Sequence, residues 1–291
     1  MKYRIVHKTA YKYSEPASLS QNELILEPRD TAFQRVGQAH LSILPEPQYS
    51  SSRIDFFGNR VQVFMVQHPH TELTMTATSQ VETISPGDPA PQQTLPWENT
   101  VQTLCGHSQV EALDAFQFVF ASPMITIGPR MRDYALLSFP PGRPVLEGAV
   151  DLMGRIFNEF AYDKSATTVD TPVEQVLEER KGVCQDFAHL AISCLRSLGL
   201  AARYVSGYLE TLPPPGKPKL VGADASHAWL SIYVPGTGWM DLDPTNNQIP
   251  GERHITLAWG RDYGDVTPVK GVVMGGGMHT LSVMVDVAAQ E

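Results

Sequence analysis

The chain has 291 residues, enough for two domains or one elaborated domain, and its 42% hydrophobic content is ordinary for a globular protein. Lys and Arg number 22 against 31 Asp and Glu, and the formal charge of −9 argues against a nucleic-acid partner. No apolar run reaches membrane-spanning length, so no membrane partner is expected, and residues 1–7 read as a strand rather than a signal-peptide core.

Residues 1–85 read as an N-terminal antiparallel β domain. Tyr3, Ile5 and His7 alternate with Arg4, Val6 and Lys8. Gly58-Asn59 sits between alternating flanks from Phe56 to Phe64, a hairpin signal. Leu73, Met75, Ala77, Ser79 and Val81 fall on one face of a further strand. His68-Pro69-His70 offers two imidazoles and no third ligand nearby, so it reads as a surface turn and not a metal site. Pro86, Pro89, Pro91 and Pro96 then mark residues 86–97 as a Pro-rich linker.

Residues 98–253 read as a core of helices followed by strands. Leu146, Val150, Met153, Ile156, Phe157 and Phe160 form a helical stripe. Thr171-Pro172-Val173-Glu174 reads as a capping box with Pro172 at the first helical position. The next helix begins at Gly182-Val183-Cys184. It buries Phe187, Leu190, Ala191, Cys194, Leu195 and Leu198 on one stripe and stops at Gly199. Strands follow at 203–209 and 227–234, separated by the proline-rich loop 213–218, which is expected to wall one side of a cleft. A turn at Pro235-Gly236-Thr237-Gly238 leads into the strand ending at Asp243. Residues 254–291 return to β structure, with Gly275-Gly276-Gly277 read as a hairpin turn and not a phosphate loop.

Cys105, Cys184 and Cys194 are odd in number and share no metal spacing. They point to a reduced, cytoplasmic setting, with no metal and no cofactor. Cys184 and Cys194 lie ten positions apart on one helix, roughly 15 Å by the helical rise, too far for a disulfide. A lone cysteine is most often a buried structural residue. Cys184, however, stands in the first turn of its helix, where free N–H groups and the helix dipole favour a thiolate. His227 opens one strand and Asp243 ends the next, so strand pairing brings an imidazole and an orienting carboxylate together. The other histidines fit less well. His189 is five positions from Cys184 on the same helix and does not face it, and His254 and His279 lack a strand-adjacent carboxylate.

Gly182-Val183-Cys184-Gln185-Asp186-Phe187-Ala188, Ser226-His227-Ala228-Trp229 and Gly238-Trp239-Met240-Asp241-Leu242-Asp243-Pro244-Thr245 resemble the three catalytic blocks of the bacterial transglutaminase-like superfamily. Residues 1–85 resemble the β-rich region that precedes this core in one subfamily. Gly260-Arg261-Asp262-Tyr263, Asp265-Val266 and Pro268-Val269-Lys270-Gly271 resemble that subfamily's tail. Arg261 and Asp262 also read as a plain surface ion pair and receive no catalytic role.

The resemblance implies an α+β, papain-like core behind an N-terminal β domain. Cys184 is then the nucleophile, His227 the base and acid, and Asp243 the orienter. It implies a cysteine hydrolase, a peptidase or amidase, acting on a peptide, protein or small amide. Transfer of the acyl group to an amine is the alternative chemistry, and a binding or scaffold protein without turnover the alternative class.

The hairpin poses a conflict. A four-residue loop, 235–238, would pair Val234 with Trp239, set Asp243 opposite Leu230 and point it away from His227. Three arrangements restore the triad: a three-residue loop closing Val234 on Gly238, which sets Asp243 opposite Trp229; a bulge; or departure of Asp243 from the ladder before Pro244. One of them is expected, with the carboxylate roughly 2.6–3.2 Å from the ring.

Overall fold

The computed structural model describes residues 1–87, 89–106, 110–211, 224 and 226–290. It opens with five strands: β1 (Lys2–Leu24), β2 (Gln34–Leu44), β3 (Tyr49–Ile54), β4 (Arg60–Val66) and β5 (His70–Thr83). The alternation read from the sequence is present. Tyr3, Ile5, His7 and Thr9 are buried while Lys2, Arg4 and Lys8 are exposed, and Leu73, Met75, Ala77, Ser79 and Val81 are buried along β5. The Gly58-Asn59 turn is longer than expected, because β3 and β4 pair only as far as Ile54 with Arg60. Phe56 and Phe57 therefore lie in the loop, which Asp55 closes by accepting from the N–H groups of Phe57 and Asn59 at 2.9 and 2.7 Å. His70 is no surface residue. Its ring is buried, with Nε2 2.8 Å from the Ser20 hydroxyl.

Helices come next: α1 (Trp97–Gly106), α2 (Val110–Phe116), α3 (Pro129–Leu136) and α4 (Val145–Glu159). In α4 the stripe buries Leu146, Met153 and Ile156, whereas Phe157 is 45% exposed and falls outside it. Two-residue strands β6 (Ala161–Tyr162) and β7 (Lys181–Gly182) pair in parallel around α5 (Val173–Glu179). The expected capping box at α5 does not form. Pro172 is itself the N-cap, Thr171 Oγ1 accepts from the Thr168 N–H at 2.8 Å, and Glu174 accepts from the Thr126 hydroxyl.

The centre of the core is α6 (Cys184–Ser197). Its apolar residues pack on Ala202, Tyr204, Leu230 and Ile232 of an antiparallel sheet. That sheet contains β8 (Ala202–Leu209), β9 (Ser226–Val234), β10 (Gly238–Leu242) and β11 (His254–Gly260), in the order β10-β9-β8-β11. The sequence pattern implies one buried stripe on α6, yet every residue from Asp186 to Ser197 is buried. Other segments cover its polar side and satisfy it. Arg196 donates to the carbonyls of Ala202, Phe120 and Arg261 at 2.7–3.0 Å, and Ser193 donates to the Thr126 carbonyl. Leu198 caps the helix and Gly199 follows with φ +82°, in the left-handed region that glycine adopts without penalty.

The C-terminal strands are divided between the two sheets. β11 belongs to the core sheet, while β12 (Val269–Gly275) and β13 (His279–Gln290) pair with β1. Gly275-Gly276-Gly277 is therefore not a hairpin turn: both strands run antiparallel to β1 and so follow one another end to end. Gly275 pairs with Ala17, and Gly276 and Gly277 lie opposite residues 14–16, where Pro16 has no N–H to offer a ladder. They step past it with φ of +79°, +84° and +61°.

The two sheets meet across β11. Gln34 donates to the Thr256 carbonyl and accepts its N–H at 2.7 and 2.8 Å. Asn59 does the same for Trp259 at 2.9 and 3.0 Å. Side-chain amides thus stand in for a neighbouring strand and close the sheet's edge.

Candidate active site

The start of α6 is built by Asp186. Its carboxylate accepts from the Val183 N–H at 2.8 Å and the Thr167 hydroxyl at 2.7 Å. Burial nonetheless pushes its carboxyl above the ordinary range, against both hydrogen bonds. Gly182 is required here, since a Cβ on it would lie 2.7 Å from that carboxylate. Cys184 is thereby fixed, half-buried, as the first residue of the helix, with first-turn N–H groups beside it.

The β9–β10 connection is the three-residue one. Gly238 pairs with Val234 and Leu242 with Leu230, and the Thr237 N–H donates to the Val234 carbonyl at 3.0 Å. Gly236 and Gly238 make it possible, with φ of +80° and +96°. In this register Asp243 comes next to face Trp229, two residues from His227. There it leaves β9 and pairs instead with Gln248.

His227 Nε2 donates to Asp243 Oδ2 at 2.8 Å. Cys184 is a further neighbour that acts on the charge of this imidazole. Burial disfavours a charge on His227, but the contacts with Asp243 and Cys184 outweigh it and push its pKa up to about 10. Asp243 is fully buried, which alone would raise its pKa; His227, His254 and Asn246 hold it well below the usual carboxylate range instead. Its Oδ1 accepts from the N–H groups of Thr245 and Asn246 at 3.0 and 3.2 Å, and Asn246 Nδ2 reaches Oδ2 at 2.7 Å.

Two of these partners escape the sequence reading. Asn246 was legible, because Asp-Pro-Thr-Asn is an Asx-turn pattern. His254 was not. It has no carboxylate on an adjacent strand, yet its Nε2 lies 3.1 Å from Asp243 Oδ2, which comes from the other edge of the sheet, and its ring stands edge-on to Trp229. The contact depends on the register of β11 against β8, which shifts between Thr256 and Ala258. Asp241 is taken up elsewhere, accepting from Trp229 Nε1 at 3.0 Å and from the Ser231 hydroxyl. His189 is buried and lowered to about 4, and its neutral ring accepts the Tyr263 N–H at 3.2 Å. Arg261 pairs with Asp265, at 2.9 Å, and not with Asp262, which is buried and accepts from the Met124 N–H. The loop 213–218 lies outside the described residues.

His227, Asp243 and His254 also carry the donor types of a divalent-metal site, with ligand atoms within 4.8 Å of one another. Hydrogen bonds among them and Asn246 already occupy Asp243 Oδ2 three times over.

Residues 3–82 match the model of the bacterial transglutaminase-like N-terminal region, and residues 140–244 that of the transglutaminase-like superfamily. A protein of Mycobacterium tuberculosis is 41% identical over 302 residues, covering 100% of this chain and 93% of its own length. The chain belongs to the bacterial transglutaminase-like family. A Mycobacterium leprae relative of this transglutaminase-like chain is 34% identical over 98% of the chain and 97% of itself. A protein-glutamine gamma-glutamyltransferase of Pseudomonas aeruginosa is 35% identical over 94 residues, 31% of the chain and 14% of that protein. The fold is that of a Cytophaga hutchinsonii crystal structure provisionally described as a cysteine protease. Its TM-score is 0.78 at 22% identity, with 100% and 91% of the two chains covered. No helix among the described residues of this transglutaminase-like chain is long and apolar enough to cross a membrane.

Proposed function

We propose that the chain is a thiol-dependent amide hydrolase, a peptidase or amidase, acting through Cys184, His227 and Asp243. One observation carries this reading: His227 is hydrogen-bonded to a buried carboxylate at 2.8 Å, and its charge is favoured both by that carboxylate and by the cysteine at the start of α6. Cys184 Sγ attacks the amide carbonyl carbon, and the oxyanion forms beside the first-turn N–H groups of α6. His227 gives its proton to the leaving amine as the C–N bond breaks, leaving a thioester on Cys184. A water then attacks that carbonyl, His227 takes its proton, and the acid departs with the thiol restored. Asp243 fixes the ring so that one nitrogen serves Cys184, and His254 and Asn246 hold Asp243 in turn. Three cysteines that remain free thiols suit a reduced, cytoplasmic setting for this chemistry.

Acyl transfer to an amine is the second reading, favoured by the partial match to a glutamyltransferase. A mass spectrum taken during a screen of peptides and small amides, with a labelled primary amine present, separates the readings. Hydrolysis predicts an acyl adduct on Cys184 that decays to free acid without label, and none in Cys184→Ala. Label in the product at the rate of turnover makes the chain a transferase. Turnover by Cys184→Ala would rule out both.

A further inference from the structure

The face of the core sheet turned away from α6 holds a buried cation that the thiol chemistry does not use. Arg203 on β8 and Asp241 on β10 both lie opposite Ser231 on β9, so the three form one row across the sheet. Arg203 is 8% exposed, and its Nε makes no hydrogen bond among the described residues. Its guanidinium carbon lies 3.7 Å from the Trp259 ring centroid and 4.2 Å from that of Trp239. The two indoles crowd the guanidinium and leave only its terminal nitrogens as donors for a ligand.

Arg203 lines a cavity of about 560 Å³ between the core sheet and the N-terminal region. This is within the range of small-molecule sites, roughly 300–1,000 Å³. Phe33, Ile84 and Ile249 make its walls largely apolar, and Asp241 also lines it.

We propose that this cavity binds an apolar monocarboxylate, whose two oxygens accept hydrogen bonds from the Arg203 guanidinium. The two indoles narrow the direction of approach, and the fork of N–H donors matches a carboxylate. Asp241, in the same row, repels a dianion and so favours a carboxylate over a phosphate monoester. Burial pushes Arg203 down to about 9, and the nearby Asp241 opposes that shift only in part, a cost that a bound anion further offsets. The site is independent of the proposed thiol chemistry, although His254 lines the cavity as well as touching Asp243.

Titration calorimetry on the full chain tests this with 3-phenylpropionate, 3-phenylpropanamide, 2-phenylethyl phosphate and the peptide Ala-Ala-Phe. The acid should bind at least tenfold more tightly than its amide or the phosphate. Tighter binding of Ala-Ala-Phe than of the free acid would assign the carboxylate to a chain end, which equally supports the site. Arg203→Met should lose at least tenfold in affinity. Gly251→Leu should do the same by filling the cavity, since a Cβ at that lining residue meets nothing within 4 Å. Cys184→Ala should bind as the parent does, separating this site from the thiol. Equal affinity for acid and amide, no binding of any probe at millimolar concentration, or unchanged affinity in Gly251→Leu would overturn the proposal.

Discussion

His227 is held between opposing demands. Burial favours the neutral ring, while Asp243 and Cys184 favour the imidazolium, and the partners win. The folded chain therefore keeps this proton through neutral pH. The pKa rises from its ordinary 6.5 to about 10, so the stability that this site contributes is complete below about pH 6.5 and is lost as the pH climbs through about 10. Replacing Asp243 by Asn removes the larger partner and should lower the titration midpoint of His227 by more than one unit, read by NMR on the imidazole. An unchanged midpoint would mean that Asp243 does not set the charge on the ring. Cys184, His227 and Asp243 are legible as a candidate set from residue type and spacing, because a helix start and a hairpin are local features, whereas their separate roles rest on the resemblance of the motifs. His254 reaches Asp243 from a strand that pairs on the far side of the sheet, and local pattern carries no trace of that register.

The hairpin and the helix show how narrow the backbone tolerances are. Parity alone demanded a departure from a four-residue loop, and it comes through a left-handed Gly238. Gly207 on β8, directly opposite His227, is a second such point: a Cβ there would lie 2.2 Å from the Ile255 carbonyl oxygen and 2.4 Å from the Trp229 ring. Gly207→Ala must push apart β8, β11 and the ring beneath His227. It should cost about 3 kcal/mol, seen as a lower midpoint in urea unfolding. A midpoint within error of the parent would show that the strands yield freely and that the site is less rigid than described. The apolar stripe of α6 was readable from period alone. The burial of its polar face was not, since residues 120–126 and 261–263 come from both sides in sequence to cover it.

The molecule as a whole is tied together by its ends. β1 pairs with both β5 and β13, and Tyr3, Ile5, Val285 and Val287 share a cluster with Tyr208, Ile255 and Leu257 of the core sheet. The strand character of the tail was evident from alternation, but its partner was not. A glycine run between two alternating stretches reads as a hairpin until Pro16 is found opposite it. A chain ending at residue 267 loses β12 and β13 and leaves one edge of β1 unpaired along its length. Size-exclusion chromatography should show it aggregated or absent from the soluble fraction. A monodisperse truncated chain would mean that the tail is dispensable to the sheet it completes here.

The central claim concerns one thiol, and alkylation of the three cysteines at pH 6 tests it most directly. Cys105 is exposed, Cys184 half-buried and Cys194 buried, with the Cys194 thiol pushed up to about 12 by burial. Access alone therefore ranks Cys105 first, and an ordinary thiol is only about 0.3% ionised at that pH. With iodoacetamide and mass mapping of each site over time, Cys184 should react at least tenfold faster than Cys105, and His227→Ala should erase that lead. Equal rates, or an order that follows exposure, would contradict a nucleophile activated by His227 at the start of α6.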